Sequence, residues 1–122
     1  GDASAHFCIA ILYQDGLGVE KDEVKKLSHL EEAAIAGHPH ARYALGVNEG
    51  KSGRIDRAIK HHIIAANLGY DESIQQLKKY YKYGVVSKED FALALRAHHV
   101  AANAMESAQR ELAAQHGLGN GS

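Results

Sequence analysis

The chain has 122 residues, 45% hydrophobic and 24% charged, which suits one globular domain with a real core and is too short for two ordinary ones. A formal charge of -1 and a pI near 6.8 offer no basic surface to a polyanion, so nucleic acid is not expected as a partner. No apolar run approaches the ~18 residues that cross a bilayer and no signal peptide opens the sequence, so direct membrane insertion is not expected either.

Alanine is abundant and proline occurs once, at Pro39, which favours helices. In chain order, Ala5, Ile9 and Leu12 of "AHFCIAILY" fall at i, i+4 and i+7 and predict a helix with one apolar face. Cys8 in that helix cannot form an internal disulfide and reads as a small buried apolar residue; one cysteine does not choose a compartment. The turn "QDGLGVEKD" follows, where Gly16 and Gly18 can take positive φ. Its "GLGV" has the glycines of a phosphate loop, but it lies between two helices rather than after a strand, so a turn is the expected role. A second helix is predicted from about Asp22 to Ala36, ended by Gly37. Pro39 in "GHPH" sits between helices, where its missing N–H costs least. The middle of the chain repeats this scheme with a shorter connection, "EGKSGR". Further on, "KKYYKY" mixes bases with aromatics, but Tyr81 is expected in the core, which argues against base stacking. In "KYGVVSKED", Ser87 with Asp90 resembles a capping box.

The chain is similar to itself. Ala-Ala pairs stand at Ala33-Ala34, Ala65-Ala66 and Ala101-Ala102, spaced 32 and 36 residues apart. Three residues past the pair come Gly37, Gly69 and, as an exception, Met105. A second series starts from Ala5, Ala41 and Ser73: four residues on lie Ile9, Leu45 and Leu77, and eight on lie Tyr13, Glu49 and Tyr81. Gly1 stands four before Ala5, as Gly37 does before Ala41, so the chain opens at a repeat boundary and a longer array upstream is an expectation. Each unit reads as two helices, brought close by small side chains.

"AHFCIAILYQDGLGVEKDEVKKLSHLEEAAIAG" resembles a Sel-one-like repeat, whose pattern is roughly A-x-x-x-L-G-x-L-Y-x-x-G-x-G-V, then K-A-x-x-W, then A-A-x-x-G. The first unit matches at Ala5, Ile9, Leu12, Tyr13, Gly16, Gly18, Val19, Ala33, Ala34 and Gly37. The second keeps Ala41, Leu45, Gly46, Ala58, Ala65, Ala66 and Gly69; the third keeps Leu77, Tyr81, Gly84, Ala94, Ala101 and Ala102 and loses the closing glycine. The resemblance covers about residues 1–109. It implies an all-α, right-handed α-solenoid of about three helix-turn-helix repeats (1–36, 37–68, 69–104), tetratricopeptide-like, with "SAQRELAAQH" in a C-terminal capping helix over 105–116. Family members mostly serve as adaptors in multiprotein assemblies, so the resemblance implies a non-enzymatic scaffold. Residues 117–122 read as a flexible tail.

Histidines recur with the repeat. The position of the family's aromatic holds His29, His61 and Ala97, and the next holds Leu30, His62 and His98. A flat ring in a packing position is the expected role. Neighbours at i and i+1 point about 100° apart on a helix, so His61-His62 and His98-His99 cannot chelate from one helix. His38 and His40 flank a proline with no cysteine or carboxylate cluster beside them. His62 and His98 occupy equivalent positions on neighbouring second helices, yet two imidazoles are too few without a third ligand. No nucleophile elbow, phosphate loop or dinucleotide fingerprint is present, so no catalytic residue, metal or cofactor is assigned.

In tetratricopeptide-like stacks the first helix of each unit lines a concave groove. The positions left over by the core register are Phe7, Ile11 and Gln14, then His40, Tyr43 and Val47, then Glu72, Gln75, Lys79 and Lys82. Phe7, Ile11, Tyr43 and Val47 predict an apolar patch, with Lys79 and Lys82 at a basic end, a combination suited to a protein or peptide partner. Three alternatives stand beside it: Phe7 and Ile11 pack against an upstream repeat or a second copy of the chain, the segment is structural or self-associates through exposed terminal repeats, or the histidines make a metal-binding protein or hydrolase.

Overall fold

The structure is a computed structural model that describes residues 2–16 and 18–116; the tail expected at 117–122 lies outside the described residues. Six helices follow one another: α1 Ala3–Asp15, α2 Glu23–Ile35, α3 Pro39–Lys51, α4 Ile55–Asn67, α5 Asp71–Lys82 and α6 Lys88–Gln115. No strand occurs among the described residues, so the chain is all-α. Nor is any described helix long and apolar enough to cross a membrane.

Short-range chemistry sets the helix ends. Asp2, Asp22 and Ser87 accept from the backbone N–H groups of Ser4, Lys25 and Asp90, each at 3.0 Å, and so cap α1, α2 and α6. The α3 cap is His38, whose Nδ1 accepts from the N–H of Ala41 at 3.2 Å, with Pro39 in the first turn. The two histidines of "GHPH" are thereby separated: one serves the backbone, the other stays exposed on α3. Helices α2 and α4 end identically. Gly37 and Gly69 sit at φ 93° and 92°; their N–H groups donate to Ala34 and Ala66, while those of His38 and Tyr70 donate to Ala33 and Ala65. Such paired bonds need a left-handed residue at the bend, which glycine adopts without a Cβ penalty. The Ala-Ala-x-x-Gly pattern is thus a helix-closing device as well as a packing one.

Consecutive helices pack in sequence, and α4 also touches α6. Two apolar clusters result. Ala10, Leu30, Ala33, Ala34, Ala41 and Leu45 join α1, α2 and α3, whereas Ala66, Ile74, Leu77, Val86 and Ala94 join α4, α5 and α6. Between them α3 and α4 meet through Gly46, Gly50, Ala58, Ala65 and the buried ring of His62.

Two elements differ from the expectation. On α1 the buried residue is Ala10, while Ala5, Cys8 and Leu12 are exposed, because no helix packs against the face that carries them. Phe7 instead turns toward the α1–α3 cluster. At the other end, residues 105–115 are no separate closing helix. They continue α6, a single 28-residue helix, since Met105 stands where α2 and α4 have their terminating glycine.

Candidate partner-binding surface

The residues expected to line a groove come from α1, α3 and α5, and the structure brings part of the set together. Gln14 from α1 and His40, Tyr43 and Val47 from α3 line one surface pocket of about 260 Å³, together with Glu23 and Lys26 of α2. Lys51, at the end of α3, adds a second ammonium to the rim. Lys26 is already paired with Glu23 at 3.2 Å. Lys51 is exposed and carries no ion pair among the described residues.

Phe7 is engaged elsewhere. Its ring stacks on His38 at 4.6 Å between centroids and leans on His40 at the same distance, half-buried against the apolar cluster. From His40 the rings continue to Tyr70 at 5.3 Å and Tyr43 at 6.2 Å. Tyr43 contacts Tyr70 at 5.2 Å and covers His62 at 5.4 Å, and Tyr80 lies 6.3 Å beyond. A continuous file of aromatic rings therefore crosses from α1 to α5. Ile11 is half-buried on α1. Gln75, Lys79 and Lys82 are exposed along α5 and do not join the pocket. Glu72 is exposed too, and its carboxylate acts electrostatically on His40.

Several of these groups went unassigned on sequence grounds. Lys26 lies on a second helix, a class reserved for packing. Tyr70 follows Gly69 as His38 follows Gly37, so the post-glycine position was the available signal: the left-handed bend aims the next side chain at the adjoining helix. Tyr81, expected in the core, is exposed and stacks on Phe91 at 5.0 Å. Tyr80 holds the inner place, because its hydroxyl reaches the gap beside Gly50.

Burial shapes the titration of the surface. Desolvation lowers the pKa of His40, His38 lowers it further, and Glu72 opposes them. His61, beside pocket-lining Arg42 on the opposite side of α3–α4, is lowered by burial and then by that guanidinium, which donates from Nη1 to its Nδ1 at 3.4 Å. His62 is pushed down to about 4, chiefly by burial and then by His61. Tyr70 is raised by burial, Glu72 and Tyr43. Burial thus disfavours the charged forms of His40 and His62 on this face, while Lys26, paired with Glu23, and Lys51 line the pocket beside them.

His62 and His98, expected from the sequence spacing to be equivalent, have different environments. His62 is 1% exposed, whereas His98 Nε2 meets the Asp71 carboxylate at 2.6 Å on a solvent-facing edge. The chain matches no protein-family model, and it has no significant match among curated proteins or solved structures.

Proposed function

We propose that this chain is a non-enzymatic interaction module: a right-handed α-solenoid of Sel-one-like, tetratricopeptide-like repeats that binds a protein or peptide segment across α1 and α3. The observation that carries this reading is the pocket at Gln14, His40, Tyr43 and Val47, which Ala44 and the Lys51 side chain also line. Aromatic side chains supply contact area at small entropic cost, and a rim cation orients a partner of opposite charge. A segment carrying an apolar side chain beside an acidic one fits best. The repeat reading draws support from the matching closures of α2 and α4 and from the equal 13-residue lengths of α1 to α4.

The test is a peptide-array screen followed by fluorescence anisotropy. Tyr43→Ala and Lys51→Glu weaken the best peptide by about tenfold or more, with the unfolding midpoint of Lys51→Glu unchanged. Glu32→Lys, on the exposed side of α2, leaves affinity alone. Selected peptides that bind all three variants equally would remove the groove.

A second reading is self-association through α6, favoured by Leu93, Val100 and Leu112, which are more than half exposed on that helix. Light scattering separates the two. In the second reading molar mass rises with concentration and Val100→Glu abolishes the rise; a groove binder stays monomeric.

A further inference from the structure

Helix α3 is capped by an imidazole. Ala41 stands in the first turn of the helix that opens at Pro39, among the donors that find no acceptor inside a helix. Its N–H donates to His38 Nδ1 at 3.2 Å, and the first bond along the helix itself runs from the Arg42 N–H to the His38 carbonyl. Ala41 is fully buried, so bulk water does not touch the residue and cannot simply take the ring's place. An Nδ1 that accepts leaves the single proton of a neutral ring on Nε2. A second proton turns both nitrogens into donors, and then no rotation of the ring restores an acceptor. Asp2, Asp22 and Ser87, the caps of α1, α2 and α6, offer oxygens instead. Histidine is the side chain that ordinarily changes charge between about pH 5 and 8.

We propose that this cap is a proton-operated switch: the neutral His38 ring holds the first turn of α3, and the protonated ring releases it. The surroundings add to the effect of the lost bond. His38 takes part in no ion pair among the described residues, and a positive ring at a helix N-terminus opposes the helix dipole. Around it, α1 presents the Phe7 ring and α2 the Ala33 carbonyl, which accepts from the His38 N–H. On α3, His40 is the titratable neighbour, and a charge on His38 disfavours its protonated form. The Arg42 guanidinium of the same turn is directed to the Ala34 carbonyl and to His61. Glu72 of α5 favours a proton on His40, and Tyr70, just before α5, meets the His40 ring at 5.3 Å. One contact resists release. Phe7 stacks on His38 at 4.6 Å and 16°, and an aromatic face attracts a cation, so the charged ring parts from Ala41 while keeping to Phe7. The switch acts on the α3 backbone and stands whether or not the groove binds a peptide.

The experiment follows the full chain by nuclear magnetic resonance from about pH 8 to pH 5. The Ala41 amide resonance should move with the same midpoint as the His38 ring carbons. Its exchange protection should fall by about threefold or more as the ring gains its proton. The Leu77 amide, in the other apolar cluster, reports general acid destabilisation, and the loss at Ala41 should exceed the change there. His38→Asn keeps a cap acceptor that does not titrate, so its Ala41 loss should shrink to that of Leu77. An Ala41 amide that stays fixed while the His38 ring titrates overturns the proposal. So does a loss at Ala41 no larger than at Leu77, an undiminished loss in folded His38→Asn, or a His38 ring that stays neutral until the whole chain unfolds. Should His38→Asn fail to fold, the two midpoints in the unaltered chain decide alone.

Discussion

His62 lies where the two apolar clusters meet. Its ring presses on Gly46 so closely that a Cβ there would come within 2.7 Å of Cε1, and Nδ1 has no hydrogen-bond partner. A charged imidazolium in that place would have neither water nor a counter-ion, which is why burial drives its pKa to about 4. The sign of the consequence is definite. Unfolded, the ring titrates near 6.5, so above that pH both states are neutral and His62 adds no pH dependence. Between 6.5 and 4 the unfolded chain takes the proton and the folded one refuses it, so stability falls with pH. The loss approaches about 3 kcal/mol at the lower end. Urea unfolding at pH 7 and pH 4.5 should show a smaller drop for His62→Gln than for the unaltered chain. Equal drops would mean that other groups, carboxylates first, govern acid sensitivity. Which of the paired histidines turns inward was not legible: neighbours differ by about 100° on the helix, and either could have faced α3.

Helix length is the next scale. Glycine closes α1 through a left-handed Gly16, and Gly37 and Gly69 close α2 and α4, whereas α6 runs on through Met105. That methionine does more than omit a stop signal. A side chain at Gly69 would meet its Cε at 2.7 Å, so the Met105 thioether rests on the bend that closes α4. Met105→Gly removes this contact and costs about 1 kcal/mol in helix propensity. Amide exchange at residues 106–115 should then accelerate, while α1 to α3 keep their rates. If exchange over 106–115 does not change, Met105 is a passenger and the length of α6 has another cause.

For the molecule as a whole, the division of the core into two clusters matters most. Each joins three consecutive helices, and the α3–α4 seam between them centres on Gly46, Gly50, Ala58 and His62, with Tyr43 covering His62 and Arg42 meeting His61. Where contacts run mainly to neighbours, stability is the sum of local terms, and one end can open without the other. Leu77, fully buried in the second cluster, is the probe. Leu77→Ala should cost about 2–5 kcal/mol. Native-state exchange should place the loss in α5 and α6, with α1 and α2 largely protected. A uniform loss across all six helices would show one cooperative unit instead.

Composition and periodicity were enough to predict an all-helical chain, the span of α2 and the capping of α6 by Ser87, because these depend on side chains acting on backbone within a few residues. The Ala-Ala-x-x-Gly spacing likewise marked the ends of α2 and α4, since positive φ is a local demand that glycine meets. Tertiary structure decided everything that depends on distance through space. It exposed Cys8, drew Phe7 onto His38 and placed His6 against His29 from a separate helix. It also gathered only four of the ten expected groove residues around one pocket. Such outcomes follow from which helix covers which face, and covering is a property of the packed whole, not of any window of sequence.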